Sequence, residues 1–299
     1  MGDTAPSLSV VVCTHNRPAD LERCLDSLAA LDERPEVIVV DSASEPPCRD
    51  LVERYASDIP GLVYVYEADA GLSRARNRGV ARVSGSIVAF VDDDAAPRRD
   101  WSKEIVAPFA HDPGIGCVGG ACLAAFEDDA PPPPPWLSDR LLQFAGITRF
   151  GDTGRLARSS AEWPFGANIA FRASVLREDP FPENLGRHGT SLLSGEEFAL
   201  VASLRDAGWR IWLEPRAIVD HTVHRERCRS QYYWRRLWWA GVTRARAADS
   251  RALGGLRLVA AAPVRLCLYL LTRDRVHLYR SAETVGFVVE RLRLRRSAA

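Results

Sequence analysis

Lysine is almost missing from this chain: Lys103 is the only one among 39 basic residues, and the rest are arginine. With the many alanines, this reads as the bias of a GC-rich, bacterial genome and carries no mechanism. The P-loop is also missing. G-x-x-x-x-G-K-[ST] does not occur, and the one G-x-G-x-x-G match, Gly114 to Gly119, lies far from the first strand, so kinase, P-loop ATPase and classical dinucleotide-dehydrogenase readings lose their main support. The seven cysteines (Cys13, Cys24, Cys48, Cys117, Cys122, Cys228, Cys267) form no C-x-x-C pair and no Cys/His spacing suited to zinc. They read as reduced thiols of a cytosolic protein. The N-terminus lacks the order of a signal peptide, because the strand-like stretch Leu8 to Cys13 runs directly into "THNRP". The fold is expected to start with the chain. No apolar run reaches the roughly 20 residues of a membrane span. The nearest, "LRLVAAAPVRLCLYLLT", is interrupted by Arg257, Pro263 and Arg265. It reads as an amphipathic or interfacial helix, or as a helix packed on the main domain.

What is present fits a globular protein. The 299 residues suffice for one large or two ordinary domains, and 46% are hydrophobic. The net charge of zero hides a division. Residues from Arg225 onward hold 17 arginines against five acids, a surplus of 12 positive charges that the first 224 residues offset. Such a tail suits an anionic partner, either a membrane surface or the acidic main domain.

The first half alternates strand-like and helix-like segments: "LSVVVCT", the amphipathic stretch Pro18 to Leu31, "PEVIVVDSAS", "CRDLVERYA", "LVYVYEA", "LSRARNRGVARVSG" and "GSIVAFVDDD". That order predicts an open, doubly wound α/β sheet of mostly parallel strands. Ligands bind at the carboxyl ends of such strands, which puts Thr14 to Arg17, Asp41 and Asp92 to Asp94 on one edge. Near residue 127 the character changes. Pro131 to Pro135 predict an extended loop bordering the crevice, or a plain spacer. Beyond lie "WPFGANIAFR", the helical "SGEEFALVASLRDAG", the strand "WRIWLEPRAIVDHTVH" and the basic, aromatic, helical tail.

The apolar strand Ile87 to Val91 ends in three carboxylates. In extended chain, residues i and i+2 share a face, so Asp92 and Asp94 converge while Asp93 turns away. Two hard oxygen ligands suit Mg²⁺ or Mn²⁺ carrying a diphosphate; the alternative is a solvated turn. Arg17, Arg74 and Arg76 are the candidates for further neutralisation. Asp41 either accepts hydrogen bonds from a nucleobase or ribose or caps its turn. Glu196 and Glu197 stand at a helix start, where they cap or where one serves as general base. His221 closes a strand as a third metal ligand or a structural histidine.

Taken in order, "SVVVCTHNR", "VIVVDSAS", "GLSRARNRG", "GSIVAFVDDD", "GANIAFR", "GEEFALVASLRDAGWRI" and "PRAIVDHTVH" resemble the motifs of family 2 glycosyltransferases across about residues 7 to 245. The resemblance implies the GT-A fold, Rossmann-like and open-sheeted, with a helical basic C-terminal extension. It implies an inverting enzyme that uses a nucleotide-diphosphate sugar donor, a hydroxyl-bearing acceptor and Mg²⁺ or Mn²⁺, and no nucleic acid. Residues 1–225 would form the glycosyltransferase domain, with its nucleotide half at about 1–110 and its acceptor half at about 111–225; residues 226–299 would form the tail. Thr14, His15 and Arg17 would contact the nucleotide, Asp41 its base or ribose, and Arg76 and Asn77 would lie beside the diphosphate. Asp92, Asp94 and His221 would hold the metal, and Asn168 would lie near the donor sugar. The family's acidic pair is usually Glu-Asp, and here its second position is Glu197, which becomes the base with Glu196 positioning the acceptor. His15 replaces a common Tyr. Trp136, Trp163, Trp234, Trp238 and Trp239 would offer stacking surfaces or core. The expected place is cytoplasmic, with a peripheral contact at the inner membrane face left open. A catalytically silent binding module of the same fold and a nucleotidyltransferase are the other readings, and the latter lacks its Gly-rich, lysine-bearing signature.

Overall fold

In the computed structural model, residues 6–127, 132–159, 162–189, 191–247 and 253–297 are described. Pro131, the first of the five prolines, lies outside them. The strands are β1 (Leu8–Thr14), β2 (Glu36–Ser42), β3 (Val63–Glu67), β4 (Ile87–Asp92), β5 (Ala95–Pro97), β6 (Ile115–Phe126), β7 (Arg155–Leu156), β8 (Asn168–Arg172) and β9 (Arg210–Val223). The helices are α1 (Pro18–Ala29), α2 (Arg49–Glu53), α3 (Leu72–Val80), α4 (Trp101–His111), α5 (Asp139–Leu142), α6 (Glu196–Asp206), α7 (Ser230–Ala247), α8 (Leu253–Thr272) and α9 (Arg275–Ser297).

β-branched runs in β1, β2 and β4 explain the sheet. Their side chains alternate between two buried faces, Val10, Val12, Val37, Val39, Ile87 and Val91 on one and Val11, Ile38, Val40, Val88 and Phe90 on the other. Both faces need cover. On the first, α1 contributes Leu21, Leu25 and Leu28 and α4 contributes Trp101 and Ile105. On the second, α3 brings Ala75 and α6 brings Leu200, Val201 and Leu204.

The nine-stranded sheet runs β3-β2-β1-β4-β8-β6-β9-β5, with β7 paired to β9. β3, β2, β1 and β4 pair in parallel, and antiparallel pairing begins where β8 meets β4. The expected open α/β sheet is present, and its parallel part is the N-terminal half. Register decides where the site falls. Thr14 pairs with Asp41 across β1 and β2, and Cys13 with Asp92 across β1 and β4, so three polar strand ends share one edge.

The chain divides into two compact units: residues 1–125, 146–183 and 196–222, and residues 126–145, 184–195 and 223–299. The first carries most of the sheet. In the second, Leu141, Tyr233, Leu237, Val276 and Tyr279 form an apolar core with Trp136 packed against it. Trp136 and Trp234 meet Tyr279 edge-on, so these two tryptophans serve packing. α7 and α9 approach backbone to backbone at Gly241, where an added Cβ would lie 2.0 Å from the Glu283 carbonyl oxygen. Only glycine fits there. Gly241→Val should therefore cost about 3 kcal/mol, the upper end for overpacking, measured by urea denaturation; an unchanged midpoint would show that the helices cross elsewhere.

Candidate active site

The site begins with β4, whose apolar residues carry Asp92 to the sheet edge. The chain then enters β5, whose antiparallel pairing with β9 sets Ala95 opposite His221. The Thr222 amide donates to the Asp94 carbonyl at 2.8 Å, which locks that register. His221 Nε2 thereby lies 3.3 Å from Asp94 Oδ1. One ligand atom from each of Asp92, Asp94 and His221 falls within 4.8 Å of the others. Atoms that surround one ion at about 2.1 Å stand up to about 4.2 Å apart, so the trio needs little adjustment to hold a divalent cation. Asp94 and His221 are buried, while the Asp92 side chain is 36% exposed and opens the group to solvent.

Asp93 turns away, as expected of its alternation. Its carboxylate accepts from Thr14 Oγ1 at 2.8 Å and from Arg17 Nη1 at 3.2 Å. Burial pushes the Asp93 carboxyl up to about 7; the Arg17 charge opposes the shift and the Asp94 charge adds to it. Arg17 also reaches Asp94 Oδ2 at 3.4 Å.

Behind the carboxylates lies Arg76, only 3% exposed. Its Nη1 donates to Glu196 Oε1 at 2.6 Å and its Nη2 to Asp92 Oδ1 at 3.3 Å. Its guanidinium also lies over the Phe90 and Phe181 rings, at 5.7 and 5.6 Å from their centroids. Arg76 is thus a buried bridge between two carboxylates. The bridge explains the "FGAN" glycine: a Cβ on Gly166 would lie 2.4 Å from Arg76 Nη2. Glu196 and Glu197 are both buried in the first turn of α6, each with one oxygen lacking a hydrogen-bond partner. One guanidinium cannot neutralise both glutamates and Asp92. Burial, then the Glu197 charge, push the Glu196 carboxyl up to about 8 against the pull of Arg76. Burial likewise pushes the Cys13 thiol to about 12, with Arg76 opposing, so that thiol stays protonated.

Four of the candidate residues are engaged within the protein. Asn168 is fully buried: it donates to the Ala121 and Ala217 carbonyls at 2.9 and 2.8 Å and accepts from Trp101 Nε1 at 2.9 Å. Its amide faces the core, where it ties β8 to β6, β9 and α4. Asn77 donates to and accepts from the Phe181 backbone at 2.9 and 3.0 Å, pinning α3 to the loop after β8. Arg74 pairs with Glu183 at 2.8 Å and with Asp69, away from Asp92. Asp41 accepts from the Ser44 and Cys48 amides and the Tyr64 hydroxyl at 3.0, 2.7 and 2.8 Å, which is the turn-capping arrangement.

His15 is exposed, its Nδ1 against the Ser42 carbonyl. Beside it Asn16, with φ of 55°, takes the Ser44 hydroxyl as acceptor for its amide and accepts the Glu45 amide on Oδ1. The β1 and β2 loops are stitched together by these bonds. Sequence reasoning passed over Asn16, Tyr64 and Phe181; an asparagine before Arg-Pro at a strand end was the one available signal.

This architecture is that of solved GT-A glycosyltransferases. A mannosyltransferase from Pyrobaculum calidifontis, solved with GDP-Man and Mn²⁺, superposes with a TM-score of 0.65 over 97% of this chain and 88% of that one, at 22% identity. The sequence model described as glycosyl transferase family 2 matches residues 9–178, more than half of the chain, and the chain belongs to that family. The glucosyl-dolichyl phosphate glucuronosyltransferase of Haloferax volcanii is 26% identical over 79% of this chain and 76% of its own length. Succinoglycan biosynthesis protein ExoM of Rhizobium meliloti is 37% identical over 31% of this chain. The chain spans about a third of the length of curated relatives such as ExoM, where it matches 32%, and the glycosyltransferase AglE of Haloferax volcanii, where it matches 34%.

The Glu196 shift has a measurable sign. The folded carboxyl keeps its proton to about pH 8 and an unperturbed one to 4.5, so its contribution to stability is full below about 4.5 and is lost as pH rises through about 8. Stability from chemical denaturation should fall across that window, and Glu196→Gln should reduce the slope. Asp93, raised in the same sense, keeps some of it. An unchanged slope in the variant would place the shared proton elsewhere.

Proposed function

We propose that the chain is an inverting, metal-dependent glycosyltransferase that moves a sugar from a nucleotide-diphosphate sugar to a hydroxyl-bearing acceptor: a cell-surface glycan, a lipid carrier or a secondary metabolite. The observation that carries the reading is the convergence of Asp92, Asp94 and His221, joined through Arg76 to Glu196 and its neighbour Glu197. Metal ligands and a candidate base belong to one connected network. A divalent ion held by the trio would supply positive charge to the leaving diphosphate. Two carboxylates suit Mg²⁺ or Mn²⁺, and the imidazole favours Mn²⁺ of the two.

The chain's own residues supply the rest. Thr14, His15 and Arg17 line the loop after β1 and take the nucleotide, with Arg17 reaching toward the phosphates. Asp41 holds the shape of the neighbouring β2 loop and presents that loop to the base or ribose. Asn77 and Asn168 act from the core as positioning residues beneath the donor. Glu197 accepts the acceptor's hydroxyl proton as the oxygen attacks the anomeric carbon from the face opposite the leaving group. Glu196, fixed by Arg76, positions the acceptor. Residues 1–225 form the catalytic region in this reading, its nucleotide half at about 1–110. The protein works in the cytoplasm, and the basic C-terminal region meets the inner membrane face. Among the described residues no helix is long and apolar enough to cross a membrane.

The test is donor binding and turnover across a panel of nucleotide sugars, with and without Mn²⁺. Asp94→Ala should abolish metal-dependent donor binding. Glu197→Gln should keep that binding and lose turnover by a factor of about 100 to 10,000. Failure of every donor under every metal condition would refute the transferase reading and leave a silent binding module of the same fold.

A further inference from the structure

Over residues 263–272, α8 is apolar around most of its circumference and yet exposed. Val264, Leu266 and Leu270 are more than half exposed and Leu271 is 81% exposed. Such a helix is ordinarily buried in a core or a membrane. At 100° per residue, Val264, Cys267, Leu268 and Leu271 form one stripe, and Leu266 and Leu270 extend it around the helix. The remaining side holds α8 in place. Arg265 donates to the Arg280 carbonyl and to Thr284 Oγ1 of α9, both at 3.0 Å, and part-buried Tyr269 lies one turn farther along. α9 continues the surface. Its buried face carries Val276, Tyr279 and Phe287, while Val285, Val288, Val289 and Leu292 stand exposed at i, i+3, i+4 and i+7.

Charge selects the occupant. α8 contains no acidic residue, and the two acids of α9, Glu283 and Glu290, are buried and paired with Arg244 and Arg246. Between the helices, Asp274 pairs with Arg140. Among the described residues, the ionised groups that the hairpin exposes beside its apolar residues are arginines, among them Arg295 and Arg296 at the end of α9. A second copy docking here would set positive charge against positive charge. An anionic lipid leaflet pairs with the arginines and takes the apolar side chains below its headgroups.

We propose that the α8–α9 hairpin is an interfacial docking surface for anionic lipid, entered by Leu268, Leu271 and Val264 on α8 and by Val288, Val289 and Leu292 on α9. This develops the membrane contact in the proposed function and is independent of the donor chemistry. A soluble partner protein or a self-associating dimer would use the same residues without a lipid preference.

The full chain is sedimented with vesicles of phosphatidylcholine alone and of phosphatidylcholine with phosphatidylglycerol. Binding should be strong only to the anionic vesicles and should weaken as salt rises. Leu268→Glu with Leu271→Glu should lower the bound fraction about tenfold or more, since each places a charge where a methyl group entered lipid. The single change Leu271→Glu, at the most exposed site, should lower it in the same direction if the double variant folds poorly. Val63→Glu, on exposed β3, should leave it unchanged. No binding to either vesicle would overturn the proposal, as would a dimer in light scattering that the Leu271→Glu change dissolves. Nucleotide-sugar binding measured on the same variants separates this outcome from failure of the transferase reading.

Discussion

A single buried guanidinium sets the geometry of the candidate site. Arg76 comes from a helix on one side of the sheet, passes over a glycine and lies between Asp92 at the end of β4 and Glu196 at the start of α6. Leaving a charge this deep without partners costs several kcal/mol, so each carboxylate it meets is held as firmly as the arginine itself. Phe90 and Phe181 close over the guanidinium and exclude water, which strengthens both ion pairs. The arrangement couples two carboxylates that lie more than a hundred residues apart in sequence. Repositioning Asp92 would perturb Glu196 through one rigid planar group.

The same charge leaves the glutamate pair under-neutralised. Two buried carboxyl groups beside one guanidinium that also serves Asp92 must keep a proton between them. Burial raises the Glu196 carboxyl to about 8, which keeps that group protonated near neutrality. On the other edge, Arg17 spans Asp93 and Asp94, while Asp92 alone opens to solvent. Negative charge therefore collects where a cation and a diphosphate would approach.

Much of this was legible in the sequence because it depends on local pattern. The alternating apolar strands, their polar ends and the i, i+2 spacing of Asp92 and Asp94 follow from period-2 geometry. The glutamates at the start of α6 follow from Gly195 and the helical period after it. Residue roles set by distant partners could not be read. Asn168 looks like a polar residue entering a strand, and only the packing of β6, β9 and Trp101 around it turns its amide into a structural knot. Asn77 and Phe181 stand 104 residues apart, and Asp41 meets Tyr64 through the register of β2 with β3. Parallel order also ended sooner than expected, because strand alternation predicts crossovers and is silent on the direction of β8.

The C-terminal helices show the same limit from the opposite side. In sequence, Arg257, Pro263 and Arg265 interrupt the apolar run and leave interfacial and packed helices equally available. In three dimensions one of these interruptions leaves the outward face. Arg265 turns inward to α9 and finds oxygens there, so it no longer breaks the outward apolar arc. Glu283 and Glu290 turn inward as well, which strips acidic charge from the hairpin's outer surface. A helix pair that hides its acids and exposes its leucines is the arrangement that the proposed docking on an anionic leaflet requires.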